Sequence, residues 1–78
     1  MAADLAELKA MIEAALPGAT VEVLDETGAG DHLRAIVAAH QFVGLSRIDQ
    51  HRLVRAAVKR RFEDGTIHAL SIRTEIAG

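Results

Sequence analysis

Apolar residues recur at three- and four-residue spacing from Leu5 through Leu8, Met11, Ile12 and Ala15 to Leu16. That spacing predicts a helix burying one stripe. Asp4 stands where an N-cap belongs, its carboxylate able to accept a bond from an otherwise unpaired backbone N–H. Pro17-Gly18 ends the helix, because proline cannot continue the hydrogen-bond ladder. Thr20 to Leu24 is rich in β-branched residues, and Leu33 to Ala39 is apolar apart from Arg34; both read as strands. The segment from Asp25 to Asp31 between them is a glycine- and acid-rich turn. It is too short for a helical crossover, so the two strands are expected to form an antiparallel hairpin.

A loop through His40–Gly44 leads to a second helix. Ser46 with Asp49 three residues on resembles a capping box, with Asp in place of the usual Glu or Gln. Val54, Ala57 and Val58, flanked by Leu53 and Phe62, form its inward face, and Arg52, Arg55 and Lys59 fall on the opposite one. One helix is expected to run on to Glu63-Asp64, with Gly65 as a left-handed C-cap. The last strand, Thr66 to Thr74, would carry Leu70 and Ile72 with His68 on one face, and Ile67 and Ala69 on the other. The order helix–strand–strand–helix–strand implies an α+β fold of two layers, helices on one face of a three-stranded sheet.

At 78 residues the chain has room for a single domain spanning 1–78. A domain this small buries roughly 60% of its unfolded surface, too little to wall off a deep active site as well. Half the residues are apolar but only two are aromatic, so Ala, Val, Ile and Leu must build the core. Cysteine is absent, which excludes a disulfide framework, a thiolate nucleophile and a four-cysteine metal site. No apolar run approaches the roughly 20 residues that span a bilayer. The N-terminus lacks the cationic start of a signal peptide, and a cytoplasmic, non-membrane protein is expected. The net charge of −2 argues against a dedicated nucleic-acid binder. The basic residues are concentrated, however, with six of the nine lying between Arg47 and Arg61.

Four histidines carry most of the candidate chemistry. His68 opens the last strand and His32 the second, so the two imidazoles could converge if those strand ends are neighbours. Two neutral nitrogens suit Zn, Cu or Fe but leave the coordination incomplete, so a partner would have to finish it. His51, on a helix flank, and His40, in a loop, are weaker candidates. Arg52, Arg55 and Lys59 could contact phosphates, assisted by Arg47, Arg60 and Arg61, but no interleaved aromatics offer base stacking. Ser46 is committed to capping, Ser71 points away from His68, and the glycines of the turn precede a strand rather than a helix. No catalytic set emerges, and the chain is not expected to be an enzyme.

The blocks Phe42-Val43-Gly44-Leu45-Ser46-Arg47, Gln50-His51-Arg52-Leu53-Val54 and Gly65–Thr74, with Gly30-Asp31-His32 before the second strand, resemble the BolA family. The resemblance runs from about Leu5 to Thr74. It implies a KH-like (class II) α-β-β-α-β fold and a non-enzymatic partner of monothiol glutaredoxins. In such pairs a bridging [2Fe-2S] cluster takes sulfur ligands from the glutaredoxin cysteine and glutathione. The BolA-like chain then adds a C-terminal histidine and one further residue, and binds no cluster alone. The histidine corresponds to His68. Many members carry the second ligand inside the hairpin turn, where this chain has Gly30, and the nearest candidate is His32. The resemblance also implies iron homeostasis as a setting, or DNA-binding transcriptional regulation through Arg52, Arg55 and Lys59. Alone, the protein is expected to be a monomer or weak homodimer, with DNA at most a weakly bound partner.

Overall fold

The Asp4 carboxylate accepts hydrogen bonds from the N–H groups of Ala6 and Glu7 at 3.0 and 3.2 Å, and helix α1 (Leu5–Ala15) starts there. The computed structural model describes residues 4–28 and 32–77. Leu8, Ile12 and Leu16 form the buried stripe of α1, while Ala15, which shares their spacing, is exposed. Gly18, at φ +85°, turns the chain into strand β1 (Thr20–Asp25). The Asp25 carboxylate then accepts from Thr27 N–H at 3.1 Å and Gly28 N–H at 2.9 Å, folding the start of the turn onto itself.

Strand β2 (His32–Ala39) pairs antiparallel with β1, as its short connection requires. A 3₁₀ turn, His40–Phe42, follows and drives the Phe42 ring to 0% exposure. Ser46 Oγ accepts from Asp49 N–H at 3.2 Å and starts helix α2 (Arg47–Ala57). The expected single helix is in fact two. Val58 leaves helical geometry at φ −114°, ψ 18°, and α3 (Lys59–Glu63) begins after it. The break lets Val58 stay buried while Phe62 folds back beneath Arg55.

Gly65, at φ +81°, reverses the chain, and Ile67 N–H bonds back to the Arg61 carbonyl at 2.9 Å. This capping turn corrects the expected start of the last strand. Residues 66–68 belong to the turn, Ile67 is buried in the core rather than facing outward with Ala69, and β3 runs from Ala69 to Ile76. The α2–α3 crossover makes β3 parallel to β2, giving the order β1-β2-β3. Leu70, Ile72 and Thr74 face the helices, and Ala69, Ser71, Arg73 and Glu75 face outward. Leu33, Ala35, Val37 and Ala39 of β2 complete a core shared with α1, Phe42, Val54 and Val58. The result is the expected α+β fold, with the helices on one face of the sheet.

Among the described residues one polar side chain is buried, Gln50, on the inward face of α2. Its amide nitrogen donates to the carbonyls of Leu45 at 3.0 Å and Phe42 at 3.4 Å, and its oxygen accepts from Thr74 Oγ1 at 2.6 Å. One residue thereby ties the loop before α2 to the end of β3.

Candidate functional site

The strand register decides whether His32 and His68 can act together. His32 is the first residue of β2 and lies opposite Ala69, the first residue of β3. His68 immediately precedes Ala69, so the two histidines lie at the same end of neighbouring strands, one register step apart along the backbone. Both residues are exposed. His68 is held there by the capping turn that buries Ile67, and His32 by the first rung of the sheet, where its carbonyl accepts from Glu26 N–H at 3.0 Å. Gly30, where the resemblance implies the turn ligand of many members, lies outside the described residues. Among the described residues no group of three His, Asp or Glu side chains could hold a metal ion. Two exposed histidines are too few donors to enclose a metal by themselves.

The other histidines stand apart. His40 lies against Gly18, where a Cβ would meet its ring carbon at 3.8 Å. His51 shares with Arg47 the wall of a groove of about 420 Å³ that runs along Ile72, Arg73, Thr74 and Glu75.

The expected basic face of α2 is exposed and lines a second groove of about 290 Å³, formed by Arg52, Arg55, Ala56, Lys59 and Phe62. The Arg55 guanidinium lies 4.2 Å from the Phe62 ring centroid, a cation–π contact that gives the groove an apolar floor. Arg52 reaches Asp49 at 3.4 Å, an exposed pair of small energetic weight. Arg61, expected to assist this face, is instead committed to structure. It bonds Glu7 and Asp64 at 2.6 Å each and so joins α1 to α3. Those bonds, from Glu7 first and then Asp64, raise its pKa above the usual guanidinium value. The Thr66 hydroxyl and N–H, then Arg61, lower the Asp64 carboxyl to about 2. The β3 groove and the Gln50 tether escaped the sequence reading. A lone Gln within an otherwise apolar stripe, at four-residue spacing from Val54 and Val58, was the one available signal.

Comparison with known proteins agrees with the fold. A family model described as BolA-like protein matches residues 12–77. An uncharacterized protein of Rickettsia prowazekii, RP812, is 32% identical over 74 residues and 95% of each chain. Its NMR structure superposes with a TM-score of 0.75, covering 100% of both chains. BolA-like protein 1 of Mus musculus is 34% identical over 77 residues, spanning 90% of this chain and 56% of the mouse protein. A BolA protein homologue from Coxiella burnetii, 29% identical, superposes with a TM-score of 0.78 over 95% of this chain and 91% of its own. None of these relatives is named as an enzyme. Among the described residues no helix is long and apolar enough to cross a membrane.

Proposed function

Because the chain belongs to the BolA family, we propose that it is a non-enzymatic adaptor that docks a monothiol glutaredoxin and lends His68, with His32, to a shared [2Fe-2S] cluster. The observation that supports this reading is the β2–β3 register, which brings two exposed histidines to the same end of neighbouring strands in a chain without cysteine. A chain with two nitrogen donors and no thiolate cannot enclose a cluster, but it can complete one. Imidazole in place of thiolate on one iron makes the cluster less negative and raises its potential. The setting would be iron–sulfur cluster trafficking or iron regulation.

The test is titration of the protein into cluster-loaded monothiol glutaredoxin with glutathione, followed by visible absorption and circular dichroism. A spectral change saturating at one-to-one stoichiometry is expected, and His68→Ala should abolish its imidazole-dependent part. An unchanged spectrum with that variant overturns the assignment of His68. Absence of any spectral change, with no complex on a sizing column, overturns the partnership.

The groove formed by Arg52, Arg55 and Lys59 favours a second reading, weak DNA binding by a transcriptional regulator. Phosphate contacts make affinity fall steeply with salt, and reversing Arg52 and Arg55 should weaken every DNA sequence about equally. Affinity that ignores both salt and these substitutions rules it out.

A further inference from the structure

Strand β3 is an edge of the sheet, with no strand paired to its outer side among the described residues. Ala77 N–H donates to the Ala39 carbonyl at 3.3 Å, which turns that residue's peptide groups towards β2. Peptide groups alternate along a strand, so those of Ile72, Thr74 and Ile76 point away from the sheet with no ladder partner among the described residues. Such an edge is a template for another strand unless charges guard it.

The charges on this edge are Arg73 and Glu75, both on the outward face and paired with each other at 3.4 Å. Opposite signs two residues apart guard against most pairings but not against one. Consider a second copy approaching antiparallel, with its helices on the same side of the extended sheet. Centring on Thr74 opposite Thr74 places Arg73 of each copy across from Glu75 of the other. Shifting by one residue pair either way sets Arg73 against Arg73 or Glu75 against Glu75, which destabilises. In the Thr74-centred register the outward peptide groups of Ile72, Thr74 and Ile76 all find partners.

The same register pairs Ile72 with Ile76 on the helix-facing side. Ile76 is 55% exposed, and beside Ile72 lies the groove of about 420 Å³ walled by Arg47 and His51. The partner's Ile76 side chain would enter that groove. No aromatic residue lines it, so it offers no platform for nucleic-acid bases.

We propose that this edge is a self-association surface, on which two copies join their β3 strands antiparallel about Thr74 into one six-stranded sheet. His32 and His68 lie at the other end of β3, outside the paired residues, so a dimer presents both imidazole sites at its two ends.

The experiment is sedimentation equilibrium of the intact chain from micromolar to millimolar concentration, with the charge-reversed variants Arg73→Glu and Glu75→Arg and the double reversal. The wild type is expected to be a concentration-dependent dimer. Each single reversal turns two attractive cross-strand pairs into repulsive ones and should raise the dimer dissociation constant about tenfold. The double reversal restores both attractions and should restore the wild-type constant. Both side chains are exposed, and circular dichroism verifies that each variant is folded. A wild type that is monomeric at millimolar concentration overturns the proposal. So do single reversals without effect, or a double reversal that fails to rescue. His68→Ala, which tests the glutaredoxin reading, should leave this equilibrium unchanged, so the two ideas fail separately.

Discussion

Thr74→Val is nearly isosteric and favours a strand, yet it should destabilise the protein. The Thr74 hydroxyl donates to Gln50 Oε1 at 2.6 Å, and Gln50 is only 9% exposed. Removing the hydroxyl leaves that oxygen without its partner, and an unsatisfied buried acceptor costs about 1–3 kcal/mol. Thr74 is half-buried, so water reaches part of the site and a loss of about 1–2 kcal/mol is expected. For a chain this size the melting temperature should fall by roughly 5–12 °C. Thr74→Ser keeps the hydroxyl and should retain most of the stability. Urea unfolding of wild type, Thr74→Val, Gln50→Met and the double variant closes a double-mutant cycle, with a coupling of at least about 0.5 kcal/mol expected. Equal or greater stability of Thr74→Val, or additive single effects, would refute the tether between α2 and β3.

Phe42→Ala empties a site of 0% exposure and should cost about 3–5 kcal/mol. That is comparable to the whole net stability of a core this small, so its amide spectrum should collapse at 25 °C. Asp64 is lowered from 3.8 to about 2 in the fold, so its stabilising contribution is present above pH 3.8 and lost as pH falls towards 2. Asp64→Asn should therefore be less stable than wild type near neutrality and converge with it near pH 2, as followed by thermal melts. Gly65→Ala meets no atom within 4 Å of its new Cβ but keeps φ +81°, so left-handed strain alone should cost about 1–2 kcal/mol. Gly65→Asn should lose less, and chemical unfolding distinguishes the two.

Most of the elements were legible in the chain because each rests on local physics. The stripe from Leu8 to Leu16, the caps at Asp4 and Ser46, and the short turn after Asp25 involve residues within a few positions of one another. The placement of the candidate residues on their elements was local too: His32 and His68 at the starts of strands, and Arg52, Arg55 and Lys59 on one helix face by their spacing. The break at Val58 was not, because no Gly or Pro marks it and burial of Val58 together with the Arg55–Phe62 stack decides it. The start of β3 was misplaced for a similar reason. Ile67 suits a strand, but its N–H is taken by the Arg61 carbonyl and its side chain by the core.

What the sequence determined by itself was the inventory of periodic segments, caps and turns, since hydrophobic spacing and capping act over one or two helical turns. Tertiary structure decided which strand ends meet. Only the parallel pairing of β2 with β3 sets His32 opposite Ala69 and so beside His68, and only the sheet order leaves Arg73 and Glu75 on an open edge. The β2–β3 register comes from contacts between residues 37 positions apart, and local spacing carries no information about that distance.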